Sequence, residues 1–427
     1  MTFLRTLTLL TPLIPSMIGV TVTLDSPTSP RAVTARGSAT RAPAPTRLVI
    51  LGADHSAQLV GRRNHPGYLR VFLDRLKPDV ICIEQPPEEY ARGVFYFEAT
   101  YEQQYVAVPY ARAHHIEVRP IDWIPPRDDE RLAFGRLEVV DVPAIRPPND
   151  FQSFLTFDST AIQRSFFFAD SLPWREEARR FFDTPRPGRR DFPRRLDLYR
   201  TFMQAMRVRA ATAHHPGETV LVVVGATHKD DLERILADDK QIEIVQPSAL
   251  VASIDSATAT QALTSSDRFA IASANILGVQ SSSAVVDWGW VESIVGELAR
   301  ERGASAEVRL LQARLGLLRG KISPAAALGI FEAIANDSAA GVPFSFTGVQ
   351  DTWRVDSYFD PFGNLNVRQR AMVEAAKVHA SFGAPLRVKA MRDALWSAAP
   401  WSPLQEGELS VYWRRYVETI AGASRPR

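Results

Sequence analysis

A Gly-x-x-His tetrad occurs twice in the chain, each time directly after an apolar run. The first copy is GADH at residues 52–55, and the second is GATH at residues 225–228. With 23 Gly and 8 His in 427 residues, chance predicts roughly 0.4 such tetrads. An imidazole can bind a divalent metal or carry a proton near neutral pH. The repeated pattern therefore predicts that His55 and His228 serve one site.

Two carboxylates follow apolar runs in the same way. Glu84 closes the run VICI at 80–83, and Asp122 closes the run IEVRPI at 116–121. Because parallel strands end at one edge of a sheet, both carboxylates should meet the histidines there. A His, Glu, Asp, His set without thiolate suits Zn, Mn or Co, which could activate water and polarise a carbonyl, with a free carboxylate as general base.

Structural roles for the same residues stay open. A glycine after a strand commonly marks only the start of a loop, and a histidine two or three residues later often begins the next helix without touching a ligand. Asp122 precedes a Trp-Ile-Pro-Pro turn and could bond its own backbone. Gly52 and Gly225 are expected to allow either a positive φ or a close approach of the backbone.

The elements that would position these residues alternate between short apolar strands and amphipathic helices. Apolar runs near 48–51, 79–84, 116–121, 219–224 and 242–245 are separated by helical patterns. This order predicts an α/β fold, with a parallel-sheet core and helices on both faces. Past residue 250, Ala-rich helical periodicity predicts a mostly α-helical C-terminal domain.

The predicted domain organisation has four parts. Residues 25–46 lack large apolar side chains other than valine and read as a disordered linker. The α/β domain is expected at 47–250, with a helical insert at about 124–214, and the helical domain of unknown role at 251–427. Residues 1–24 carry Arg5 followed by uncharged residues only, which is typical of a secretory signal or a single membrane anchor.

This N-terminal segment predicts an extracytoplasmic protein, either periplasmic, secreted or tethered to a membrane. An apolar tail or an incorrect start site is the alternative, which leaves a cytoplasmic location open. Pro12 and Pro15 weaken the interpretation as an anchor.

Composition excludes several classes of protein. The net charge is +2, and four arginines before residue 42 leave the rest of the chain close to neutral, which argues against a nucleic-acid partner. Cys82 is the only cysteine, so disulfides within the chain and thiolate metal clusters are excluded.

An arginine-rich stretch at 175–209 is either a solvated helix face or part of an anionic-substrate cleft.

The tetrads and their spacing resemble the TraB/PrgY and Tiki superfamily, whose distant relatives include erythromycin esterases and ChaN-like haem-uptake lipoproteins. The resemblance covers about residues 47–250. The family signature is two Gly-x-x-His motifs and a glutamate after the second strand. In this chain these fall on Gly52 and His55, Gly225 and His228, and Glu84.

The resemblance implies a metal-dependent hydrolase, because Tiki members are metal-dependent proteases. His55, Glu84 and His228 would hold the metal, and Asp122 would assist. Relatives carry an Arg-Asn pair before a methionine, where this chain has Arg200 and Thr201 before Met203. Arg200 would stabilise an oxyanion, with Arg207 as the competing candidate and an exposed helix arginine as the alternative.

Three functional hypotheses follow from these patterns. The first is metal-dependent hydrolysis of an amide or ester bond in a peptide or small molecule, with Mn, Co or Zn. The second is a protein that binds or sequesters a peptide or haem in the same cleft without turnover. The third places the function in the helical half of the chain, the predicted helical domain at 251–427, as an interaction module or a homo-oligomer interface.

Two further carboxylates lie on a predicted helix before the third strand. Glu98 and Glu102, four residues apart, could reach the cleft or lie on a solvated face.

Overall fold

The structure is a computed structural model, and its described residues fall within one compact unit that spans residues 43–427. Part of the predicted linker and the whole candidate signal segment lie outside the described residues. Among the described residues, none of the helices is both long and apolar enough to cross a membrane. The described ranges are 44–93, 100–125, 156–184, 192–251, 253–346, 354–357 and 359–420.

The core is a sheet of five parallel strands in the order β3-β2-β4-β1-β5. The α/β architecture predicted from the alternating pattern is confirmed. Strand β4 lies between β1 and β2, although it comes after both along the chain. The strands are β1 Thr46–Ala53, β2 Val80–Ile83, β3 Glu117–Pro120, β4 Thr219–Gly225 and β5 Ile242–Ile244.

Helices flank the sheet and make up most of the described chain beyond residue 250, as the sequence predicted. Several begin at a residue whose side chain accepts a backbone N–H. At the start of one of them, Ser323 accepts from Ala326 N and precedes Pro324. The helices are α1 Pro66–Leu76, α2 Pro87–Ala91, α3 Val108–His114, α4 Ser159–Gln163, α5 Leu172–Asp183, α6 Phe192–Ala213, α7 Ala226–Leu236, α8 Pro247–Leu250, α9 Ser256–Gln261, α10 Ser265–Ala272, α11 Trp288–Arg302, α12 Ala306–Leu318, α13 Pro324–Asn336, α14 Val367–Ser381, α15 Pro385–Trp396 and α16 Pro403–Trp413.

Single 3₁₀ or π-helical turns also occur among the described residues. A 3₁₀ turn at His55–Leu59 follows β1, and a π-helical turn at Glu102–Ala107 leads into α3. The remaining turns are the 3₁₀ turns Phe168–Asp170, Val279–Ser282 and Ser338–Ala340, and the π-helical turns Ser273–Leu277 and Arg414–Glu418.

The two faces of the sheet are covered by different helices. Successive residues of a strand point to opposite faces, so Val49 and Leu51 join one core cluster while Leu48 and Ile50 join the other. The second cluster is closed by residues of α6 and α7, such as Val208. The first continues without a break from the sheet into the C-terminal helices. The helical half therefore packs on the sheet and shares its core.

His65 is buried where α1 meets the helical half. Its ring packs against Tyr68, at 4.8 Å between centroids, and Trp290, at 6.0 Å. Neither ring nitrogen has a hydrogen-bond partner within the described residues. Burial therefore disfavours the charged ring and lowers the pKa of His65 from 6.5 to about 4, although Asp267 opposes the shift.

Acid should destabilise the fold through His65. Its pKa is lower in the folded chain than in the unfolded chain, so stability is lost as the pH falls from 6.5 towards 4, by about 3 kcal/mol in total. We expect His65→Phe to lose less unfolding free energy over this range than the wild type, as measured by urea unfolding. The matched control is His115→Asn at an exposed, left-handed position. Equal losses of unfolding free energy in the wild type, His65→Phe and His115→Asn would refute the role of His65 in acid destabilisation.

Candidate active site

The strand order places the predicted site residues side by side at the carboxyl edge of the sheet. Asp122 follows β3, Glu84 follows β2, His228 lies in the first turn of α7 after β4, and His55 follows β1. Because β3, β2, β4 and β1 are consecutive neighbours, these side chains share one edge. The site is therefore assembled from four separate strand ends.

His55 is held between two glutamates. Its Nδ1 lies 2.9 Å from Glu102 Oε1, and its Nε2 lies 3.9 Å from Glu84 Oε2. The imidazole side chain is 29% exposed, which leaves one edge open to solvent. Burial opposes protonation of the ring, but the charge of Glu102 and then that of Glu84 outweigh it, raising the pKa of His55 to about 9.

The backbone at His55 adopts a left-handed conformation, with φ of +48°. A residue with a Cβ atom pays about 1 kcal/mol or more for this region, so the surrounding contacts must hold it. Asp54 supplies one such contact, because Arg164 Nη1 donates to both of its carboxylate oxygens at 2.7 Å. The tetrad loop is thereby fixed to the segment after α4.

His228 is buried and its ring orientation is set by Thr201. The Thr201 hydroxyl lies 2.7 Å from His228 Nδ1 and donates its hydrogen to the Asp197 carbonyl at 2.9 Å. While that hydrogen is used on the Asp197 carbonyl, the Thr201 oxygen accepts from Nδ1–H of the imidazole. The other nitrogen, Nε2, faces Glu84 Oε1 at 3.3 Å.

The tautomers of both histidines follow from these contacts. Glu102 as a carboxylate can only accept from His55, as Thr201 accepts from His228, so each ring carries a hydrogen on Nδ1. Although burial opposes it, the charge of Glu102 at His55 and that of Glu84 at His228 raise the pKa of both rings, so in the metal-free chain a second hydrogen, on Nε2, faces Glu84, and a bound metal would replace that hydrogen. Such an arrangement is favourable only when a proton or a metal cation lies between nitrogen and carboxylate.

Glu84 is the centre of the cluster. One oxygen accepts from Arg200 Nη2 at 2.8 Å, and the other accepts from the backbone N–H of Gly225. Burial favours the neutral acid, but the charges of His228 and Arg200 outweigh it and hold the pKa of Glu84 well below its usual range. Glu84 is therefore ionised at physiological pH.

Arg200 and Asp122 form a bidentate pair behind Glu84. Arg200 Nε and Nη2 donate to the two oxygens of Asp122 at 2.8 and 2.7 Å, and Gln204 Nε2 donates to one of them at 2.8 Å. Asp122 is fully buried and its carboxylate already accepts three hydrogen bonds, two of them from Arg200, so it orients Arg200 and is poorly placed to act as a base. Arg207 instead donates to the backbone carbonyl of Asp122. Of the two arginines that the sequence left in competition, Arg200 is the one that reaches Glu84.

Helix α6 presents its polar residues to the site as a stripe. Asp197, Arg200, Thr201 and Gln204 follow the spacing i, i+3, i+4, i+7, which places them on one helix face. The sequence analysis missed Thr201 and Gln204, treating Thr201 only as a departure from the family pattern. A polar stripe at helical spacing was the signal that could have identified both.

The two motif glycines are required by close approach, and neither has a positive φ. A Cβ atom at Gly225 would lie 2.7 Å from His55 Nε2 and 3.4 Å from Glu84 Oε2. At Gly52 it would lie 2.7 Å from Ala169 Cβ. Of the two reasons predicted for glycine at these positions, the structure supports the second.

Gly225→Ala should therefore disable the site while the sheet remains folded. The new methyl group occupies the space of His55 Nε2 and must displace the ring from Glu84. We expect any metal affinity or hydrolytic activity of the chain to fall at least tenfold, with an unchanged far-UV circular dichroism spectrum. Gly329→Ala is the control, because nothing lies within 4 Å of its added Cβ. Unaltered function in Gly225→Ala would contradict the geometry.

Two arginines of the arginine-rich stretch pair with acidic residues of α7. Arg175 pairs with Asp230 and Glu233, and Arg179 pairs with Asp230, at 2.6 to 2.9 Å. These contacts fasten α5 to α7, the helix that carries His228. They assign Arg175 and Arg179 a structural role, which neither of the two interpretations from sequence included.

The donor set fits a divalent cation. Two imidazole nitrogens and a carboxylate converge, each ring is held at Nδ1 by an acceptor, and Glu84 keeps a second lone pair on each oxygen. Two ligands of one tetrahedral zinc ion lie about 3.4 Å apart, close to the 3.3 Å between His228 Nε2 and Glu84 Oε1. His55 is more distant, and in the described part of the chain no group of three or more His, Cys, Asp or Glu already has metal-binding geometry.

Comparison with protein-family models, with curated proteins and with solved structures finds no match to this chain. The resemblance to the TraB/PrgY and Tiki group rests on the motifs alone.

Proposed function

We propose that the protein is a metal-dependent hydrolase of an amide or ester bond, with Mn, Co or Zn held by His55, Glu84 and His228. The observation that carries this proposal is the convergence of both Nε2 atoms on one ionised carboxylate, while each Nδ1 already contacts another partner. A metal bound there would activate a water molecule and polarise the scissile carbonyl.

Each residue of the cluster has a separate task in this proposal. Glu84 binds and does not act as the general base, because the charges that keep it ionised also make it a weak proton acceptor. Arg200 Nη1 is the guanidinium nitrogen that neither Asp122 nor Glu84 engages, and it would donate to the developing oxyanion. Asp122 and Gln204 hold the guanidinium in place.

The test is a hydrolysis screen on the full chain. The chelated protein is reloaded with Mn²⁺, Co²⁺ or Zn²⁺ and assayed on a fluorogenic peptide library and on nitrophenyl esters. We expect metal-dependent turnover that is lost in Glu84→Gln and kept in Glu88→Gln, an exposed glutamate on α2. Tight metal binding without turnover would favour the sequestering protein. Neither binding nor turnover would refute the proposal.

Metal uptake should depend on pH. In the metal-free chain His55 has a pKa of about 9, so below that pH the metal must displace a proton. We expect the apparent Zn²⁺ affinity to rise about tenfold for each pH unit between pH 6 and 8, as measured by calorimetry. Titrations in buffers of different ionisation enthalpy should report at least one released proton. A pH-independent affinity would contradict this assignment.

A further inference from the structure

Glu102 is a buried carboxylate on a different element from the four strand ends. It is 0% exposed and begins the π-helical turn Glu102–Ala107. Oε1 accepts from His55 Nδ1 at 2.9 Å and from the Gln103 side chain at 3.1 Å. Oε2 is buried and has no hydrogen-bond partner within the described residues.

A carboxylate in this position is costly for the fold. Burying an ionised group is unfavourable unless a cation faces it, and one oxygen of Glu102 gains no hydrogen bond in return. Among the described residues, the imidazole of His55 is the only positively chargeable group within ion-pairing distance of this carboxylate. The negative charge is therefore directed at the ring, as expected for a group that increases the basicity of a ligand histidine.

Residues of the helical half fix the position of the Glu102 carboxylate. Tyr101, the residue before Glu102, donates its hydroxyl to Asp267 Oδ1 on α10 at 2.8 Å. Arg70 of α1 donates to both oxygens of Asp267, at 2.8 and 3.0 Å. Asn275 also donates to the carbonyl of Leu59, at the end of the turn that begins with His55. Residues beyond 250 thus fix both sides of the His55 and Glu102 contact.

We propose that Glu102 is a positioning residue, which fixes the His55 ring with Nδ1 protonated and Nε2 aimed at Glu84, and that the helical half holds Glu102 in this place through Tyr101 and Asp267. The effect on metal affinity rests on the proposed metal site. The effect on the His55 ring does not, because the contact is made in the metal-free chain.

The experiment uses the full chain with Glu102→Gln, Glu102→Leu and Tyr101→Phe. The matched control is Glu307→Gln, which alters a buried carboxylate that accepts from the backbone N–H and the hydroxyl of Ser345, away from the site. The first readout is the ring N–H resonance of His55 in histidine-labelled, metal-free protein. The second is the dissociation constant for Zn²⁺ alone.

A slowly exchanging, downfield Nδ1–H resonance is expected in the wild type and the control, weakened in Glu102→Gln and Tyr101→Phe and absent in Glu102→Leu. The Zn²⁺ affinity should fall roughly 10–100-fold in Glu102→Leu and less in Glu102→Gln, which keeps an acceptor oxygen. Persistence of the resonance in Glu102→Leu would overturn the proposal, as would a wild-type Zn²⁺ affinity in that variant. If the wild type binds no Zn²⁺, the metal site fails and the resonance alone decides the role of Glu102.

Discussion

Replacing either histidine with alanine is expected to lower the Zn²⁺ affinity of the chain at least ~100-fold, more than the loss of an outer hydrogen-bond partner costs. His55 and His228 each present one nitrogen to Glu84, and no other histidine is recorded in contact with this carboxylate among the described residues. Isothermal titration of the chelated full chain measures the change. The fold should persist, because most single substitutions cost about 0.5–3 kcal/mol.

The control for this experiment is His114→Ala, which removes an exposed histidine from the end of α3. It should bind Zn²⁺ as the wild type does. Full metal occupancy in the double variant of His55 and His228 would refute the ligand assignment outright, whatever the single variants show.

Arg200→Met is expected to destabilise the fold by about 3–5 kcal/mol. The substitution removes the cation that faces the buried carboxylates of Asp122 and Glu84; Asp122 loses its charged donor, and Glu84 keeps only the imidazoles as charged partners. Urea unfolding of the metal-free chain measures the loss. Adding Asp122→Asn to Arg200→Met should recover part of it, because one uncompensated charge is then removed.

The matched control lies on the same helix. Arg209 pairs with Asp239 at 3.2 Å but is 43% exposed, so Arg209→Met should change the unfolding free energy by less than about 1 kcal/mol. Equal losses of unfolding free energy in Arg200→Met and Arg209→Met would show that the buried ion pair contributes no more to stability than the exposed one. Zn²⁺ should stabilise Arg200→Met if a cation binds at Glu84.

Local pattern was sufficient to predict the strands and the faces of the sheet. The apolar runs predicted near 79–84 and 219–224 end within one residue of β2 and β4, and the tetrads lie at the ends of β1 and β4 as expected. The convergence of His55, His228 and Glu84 followed from one general rule, that parallel strands end at a common edge.

Strand order and long-range partners could not be read from local pattern. Strand β4 enters between β1 and β2, a choice that depends on how whole helices pack and not on any single segment. The contact between Glu102 and His55 depends on a π-helical turn and on Asp267, 165 residues further along the chain. The pairing of Arg175 with α7 likewise depends on tertiary packing.

The most direct test of the central claim is anomalous X-ray diffraction from crystals of the full chain grown with Co²⁺ or Zn²⁺ and measured at the metal absorption edge. The account predicts one strong anomalous peak about 2.0–2.2 Å from Nε2 of His55, Nε2 of His228 and an oxygen of Glu84. A peak bound by other residues, or none at this edge of the sheet with the metal in excess, would contradict it.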